Sequence, residues 1–266
     1  MLGKRTLAYH STGSYKRLDL DTITPSLPIQ IFKEIEMTDK VETIEFRDLN
    51  LGSSDSNKVL RNTYWLLTLT LLPTVLGAWV GIASGISYYL SGGLGLIFFL
   101  AGSFGFVYAI EKNKDSSLGI AFLLGFTFFM GLMLSRLIAM ILGFKNGTEI
   151  VMTAFGGTAG VFFVMASLAT VIKRDLSSMG KWLFVGVIVL MVASIINIFV
   201  GSSAGMLAIS VLSIGIFSAF MLYDIKRIID GGETNYISAT LALYMNAINI
   251  FQSLLVLLGI MGGDND

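Results

Sequence analysis

From Asn62 onward the chain is written in seven successive apolar runs, near 63–83, 88–110, 118–142, 150–172, 182–201, 205–225 and 238–260. Length is the constraint. A run of about twenty apolar residues, wound as a helix at about 1.5 Å per residue, crosses a hydrocarbon core of about 30 Å. In lipid every backbone N–H and C=O must be satisfied inside the protein, which leaves helices or closed barrels. Strands are excluded because the runs are too long and lack alternation. Each run is almost uniformly apolar, so it expects lipid and other helices around it rather than one wet face. The links are short, which makes consecutive helices antiparallel neighbours. The expected fold is all-α, a polytopic membrane protein with a seven-transmembrane-helix bundle over residues 62–266, held in a lipid bilayer.

Composition agrees and narrows the chemistry. Hydrophobic residues make up 54% of the 266 and charged residues 14%, with zero formal net charge, which implies no nucleic-acid partner. The chain has no cysteine, so disulfides, thiolate catalysis and cysteine metal sites are excluded. Its single histidine, His10, lies in the polar N-terminal stretch, away from any zinc or general-base arrangement. No HExxH pattern occurs. The expectation is a non-enzymatic protein with no metal and no cofactor.

Residues 1–61 hold half of all the charges, nine Lys/Arg and nine Asp/Glu, and two of the three prolines. They read as a polar cytoplasmic tail without regular structure. No apolar segment follows the basic residues in the manner of a signal peptide. Lys33-Glu34 precedes Met37, and the codons AAG-GAG would spell a ribosome-binding sequence there. Two readings of residues 1–36 therefore compete, an over-extended gene start and a genuine tail.

Lys and Arg in short loops set the orientation. Lys58 and Arg61, then Lys112 and Lys114, then Lys173, Arg174 and Lys181, then Lys226 and Arg227 fall on one side. The opposite loops hold Lys145, with Arg136 near the end of span three. The N-terminus is expected in the cytoplasm. The acidic C-terminal end then lies outside if the last segment crosses, and inside if that segment is a re-entrant hairpin.

Small residues allow helices to approach closely where lipid supplies no hydrophobic drive between them. Gly156 and Gly160 form a GxxxG spacing and are the candidate helix-packing positions, within this bundle or across a dimer. Pro73 is expected to bend span one and to free a backbone carbonyl.

Charge inside a membrane is costly and marks function by default. Arg136 lies about 27 Å along span three, at the surface opposite to Asp224, so the two do not meet; Glu149 is at its own level. Asp224 stands at the inner end of span six with Lys226, Arg227, Lys112 and Lys114 at its depth. It is either a solvated helix-end carboxylate or a buried proton- or cation-sensing group. Asn246 and Asn249 share a face of span seven with Ala242 and Ser253. They read as interhelical hydrogen-bond glue or as the lining of an ion path, with Asn246 about 12 Å in and above Asp224 rather than level with it. Asp224, Asn246 and Asn249 are thus the candidates for an ion path or a pH sensor.

Four segments carry a resemblance: 58-KVLRNTYWLLTLTL-71, 154-AFGGTAGVFFVMASL-168, 195-IINIFV-200 and above all 231-GGETNYISATLALYMNAINIFQSLLVLLG-259. Together they resemble the Bax inhibitor family of seven-helix membrane proteins, in its bacterial YccA branch. The resemblance implies a bundle in the bacterial inner membrane that binds and modulates FtsH, a membrane-anchored ATP-dependent protease. Other branches imply a pH-sensitive Ca²⁺ leak channel with two aspartates on the last two helices. Asp224 matches the first of these, but Asn246 stands where the second is expected. A lock in which two carboxylates share a proton is incomplete with one of them. The two expectations are therefore an FtsH modulator and, as the alternative, a Ca²⁺ or proton leak centred on Asp224.

Overall fold

The computed structural model describes residues 6–11, 14–19, 29–86 and 92–262, with side chains over 56–86 and 95–262. The expected start of span two at 88–91 and the last residues, 263–266, lie outside the described residues. The chain divides into two compact units, Met1–Gly52 and Ser53–Asp266. In the first, β1 (Thr6–Ser11) and β2 (Ser14–Asp19) pair antiparallel from Thr6 opposite Asp19 to Ser11 opposite Ser14. The sequence reading places no regular structure there; Thr6, Tyr9 and Tyr15 are residues that favour strands, although a two-stranded hairpin alone has little stability in water.

The second unit is all helical. Its helices are the part of α1 (Ile29–Ser84) from Ser53 onward, with the apolar stretch Ser56–Ser84, then α2 (Gly92–Lys112), α3 (Ser117–Leu142), α4 (Gly147–Val171), α5 (Met179–Val200), α6 (Ser203–Ile229) and α7 (Tyr236–Gly262). All seven contain a stretch long and apolar enough to cross a membrane, at the places the apolar runs mark. α1 continues through Pro73. In the turns around it the Thr70 hydroxyl donates to Leu67 O and the Thr74 hydroxyl to Thr70 O.

The last helix is the axis of the unit. α7 is unbroken over 27 residues, about 40 Å at 1.5 Å per residue, which is long enough to cross and lacks the break of a re-entrant hairpin. Before its first turn, the Asn235 amide donates to Lys114 O and to the Asp115 carboxylate in the α2–α3 link. At its other end Gly262 O accepts from the Asn146 amide, in the α3–α4 link. One face of α7 buries Ile237, Leu241, Tyr244, Ile248 and Leu255 against Leu123, Phe126, Met130 and Leu134 of α3. The other buries Ala239, Leu243 and Ile250 against Met221, Ile225 and Ile228 of α6. α5, by contrast, buries only Leu190. It lies at the edge, against α6.

Close helix approach falls at positions other than those the GxxxG spacing marks. Gly156 and Gly160 are exposed on α4, with open space where a Cβ would stand. The tight crossing is α1 on α3. A Cβ on Gly77 would meet the backbone of Phe128, and one on Gly131 the backbone of Thr74. The spacing alone does not say which helix face turns inward, and α4 turns this one outward. Near that crossing the Tyr244 hydroxyl of α7 lies 2.9 Å from the Thr74 hydroxyl of α1 and 3.4 Å from Thr127 O of α3. One side chain thereby links three helices.

Candidate functional site at the α6–α7 interface

The connection between α6 and α7 is built from the GGETNYI segment. Gly231 adopts φ +76, a left-handed conformation that favours glycine, and its N–H donates to Ile228 O. Gly232 N–H closes on Arg227 O at 2.8 Å. The Glu233 carboxylate accepts from Asn235 N–H at 3.0 Å and pairs with the Arg227 guanidinium at 3.4 Å. Asn235 Oδ1 accepts from the N–H groups of Ile237 and Ser238, which caps the start of α7. Glu233 and Asn235 of the motif therefore help to fix where the two helices stand. Sequence reasoning passed over Asn235; the signal for it was an Asn just before an apolar helical run.

With the helices so placed, Asn246 Nδ2 donates to Asp224 Oδ2 at 2.7 Å. Asn246 is buried, at 5% exposure. The sequence reading put Asn246 above Asp224, and the structure corrects this. Asp224 is five residues before the end of α6, about 7.5 Å, and Asn246 ten residues past the start of α7, about 15 Å. The two side chains meet because α7 begins about 7.5 Å beyond the level where α6 ends, a rise taken up in residues 230–235. Depth counted from a shared starting level misses that offset.

The four nearby cations are engaged with other groups. Lys226 pairs with Asp230, Arg227 with Glu233 at 3.4 Å, and Lys114 with Glu111 at 3.3 Å. Lys112 stands 5.9 Å over the Tyr108 ring. Arg136 and Glu149 are exposed and form no ion pair with one another.

Asn249 does not join Asp224. Its Nδ2 donates to Met245 O of its own helix at 2.7 Å, and the side chain lines a separate cavity of about 570 Å³ with Gln252 and Ser253. A smaller cavity of about 350 Å³ lies at the other end of the same α7 stripe, lined by Ser238, Ala242, Glu111, Lys114, Arg227 and Glu233. The Asp224–Asn246 bond falls between them along α7.

A helical bundle of seven membrane-length segments around a central last helix is a multi-pass membrane protein. The family described as Inhibitor of apoptosis-promoting Bax1 matches residues 56–263, and the chain belongs to this Bax inhibitor family. It is 40% identical over 216 residues to an uncharacterised membrane protein of Vibrio cholerae, covering 79% of this chain and 93% of that one. It is 38% identical over 209 residues to the Escherichia coli K12 protein named Modulator of FtsH protease YccA, covering 79% of this chain and 93% of that one. The same figures hold for a second Escherichia coli strain, O6:H1, where the relative is named Inner membrane protein YccA. The inner membrane is the location this family relationship and the seven spans support.

Proposed function

We propose that this protein associates with the FtsH protease in the inner membrane and modulates it, with its N-terminus in the cytoplasm and its polar N-terminal stretch within the protease's reach. The observation that carries the reading is the 38% identity to the FtsH modulator YccA across 93% of that protein's length. Inner loops rich in Lys and Arg support the orientation. The tagged protein, solubilised in mild detergent, is expected to co-purify with FtsH, and deletion of its gene to change the lifetime of FtsH membrane substrates. Loss of both effects would overturn the reading.

A second reading, a proton or cation leak centred on Asp224, is favoured by one observation. Cavities lie on both sides of the Asp224–Asn246 bond along a single α7 stripe, Ser238 and Ala242 at one end, Asn249 and Ser253 at the other. Flux into liposomes that carry the protein, measured for wild type and Asp224→Asn, separates the two readings; identical flux in both removes the leak.

A further inference from the structure

The link from α4 to α5 carries Lys173 and Arg174, and Lys181 follows in the first turn of α5. All three are exposed, and among the described residues none of them forms an ion pair. Lys114, Lys226 and Arg227, on the same side of the unit, each hold a carboxylate instead. The one acid of the link, Asp175, is committed to its own turn, where one carboxylate oxygen accepts the Ser177 N–H and the other the Ser177 hydroxyl. Three cations thus stand against one acid.

The surroundings of this charge belong to a bilayer. Trp182, beside Lys181, is 77% exposed, and tryptophan is a residue that settles at the headgroup level. Val171, the last residue of α4, is exposed as well. α4 and α5 each pack on α6 and not closely on one another. α5 meets α6 where Gly180 faces Tyr223 and Gly186 faces Ile216, and α4 meets it through Ala169, in one cluster with Met221 and Ile225. At about 3.6 residues per turn, the strip of α6 left between these contacts holds Ala208, Leu212 and Gly215. All three are exposed, and Gly215 has open space where a Cβ would stand. A shallow apolar channel therefore runs along α6, between α4 and α5, toward the link.

We propose that Lys173, Arg174 and Lys181 dock an anionic phospholipid of the leaflet that faces the link, with an acyl chain lying along α6 between α4 and α5. The guanidinium takes a phosphate through paired hydrogen bonds and the two ammonium groups take it as point charges. Basic segments beside a membrane helix attract anionic lipid in this way. A zwitterionic headgroup brings an ammonium of its own among the three cations and gains less. The assignment is independent of FtsH and of which side is cytoplasmic, since it rests on the link and the channel below it.

The test uses the three tryptophans of the chain, Trp65, Trp79 and Trp182. Trp65→Phe together with Trp79→Phe leaves Trp182 as the reporter in the full-length protein, held in nanodiscs of phosphatidylcholine. Small fractions of phosphatidylglycerol or phosphatidylethanolamine with brominated acyl chains are then added, because bromine quenches an indole that it touches. Phosphatidylglycerol is expected to reach half-maximal quenching at about one-tenth the fraction that phosphatidylethanolamine requires. Replacing Lys173, Arg174 and Lys181 by Gln is expected to abolish that difference; the three are exposed and unpaired, so the fold loses no contact. Lys112→Gln, a cation on the same side but on another helix, is expected to leave the difference in place. Equal quenching by both lipids overturns the proposal, and so does a difference that survives the triple substitution. A difference lowered as much by Lys112→Gln as by the triple substitution also overturns it, because the general charge of that side would then be the cause.

Discussion

Asn246 of α7 donates its side-chain amide to the carboxylate of Asp224 on α6 at 2.7 Å. An amide donor suits a carboxylate acceptor whether or not the carboxyl carries a proton, and suits the ionised form best, because charge-assisted bonds are the stronger ones. Truncating Asp224→Ala strands a buried donor and is expected to destabilise the unit by about 1–3 kcal/mol. Asp224→Asn keeps a neutral bond and is expected to cost less than half as much. Chemical unfolding in detergent, monitored by helix content, measures both.

Asn246→Asp replaces the donor with a second carboxylate. Two carboxylates at that distance hold together by sharing one proton and repel when both are ionised. Since the protonated pair is the bound form, the variant's added stability is present at low pH and lost as pH rises. Wild type, with a single carboxylate at this contact, has no such repulsion and is expected to follow a different pH dependence over the same interval. Thermal melts of the two proteins across that interval check the contrast, and parallel curves refute it.

Gly131 and Gly77 hold α1 against α3, with backbone where a Cβ would stand. Gly131→Ala forces the two backbones apart, and overpacking of this kind costs about 1–3 kcal/mol. Gly156→Ala and Gly160→Ala, at open positions, are expected to leave unfolding unchanged or to raise stability slightly through helix propensity. Unfolding of the three variants side by side distinguishes the packed crossing from the exposed spacing.

Tyr244→Phe removes the hydroxyl that reaches Thr74 and Thr127 O. Hydrogen bonds between membrane helices average about 0.6 kcal/mol, with a maximum near about 1.7 kcal/mol. The substitution is expected to fall in that range while keeping the ring contact with Phe126. A loss larger than this range in chemical unfolding would mean that the ring itself has shifted.

In the α4–α5 link, Ser177 donates its N–H at 2.8 Å and its hydroxyl at 2.9 Å to Asp175. These bonds hold the exposed Asp175 carboxyl below its ordinary 3.8. A lowered carboxyl favours the folded turn above the ordinary value, and the contribution is lost as pH falls through the lowered one. Ser177→Ala is expected to move the Asp175 titration, followed by NMR, upward toward the ordinary value.

The seven helices were legible because lipid leaves the backbone one solution and because apolar length is a one-dimensional property. Asp224 and Asn246 were legible as candidates for the same reason, as polar groups that an apolar segment does not need. Their contact was not legible from depth counting. It depends on the offset between α6 and α7, set by Gly231, Glu233 and Asn235 in a turn whose geometry no hydropathy pattern encodes. Gly156 and Gly160 show a different limit, since they are not packed within this bundle. A spacing names a face of a helix, and only the other six helices decide where that face points.

The two ends of α7 are fastened to the two ends of α3, through Asn235 to Lys114 and Asp115 and through Gly262 to Asn146. A helix tied at both ends behaves as a strut. Sliding by one turn along its axis would break these ties. With the ties kept, a helix movement that parts Asp224 from Asn246 falls to α6, which joins α7 through the Gly231 turn.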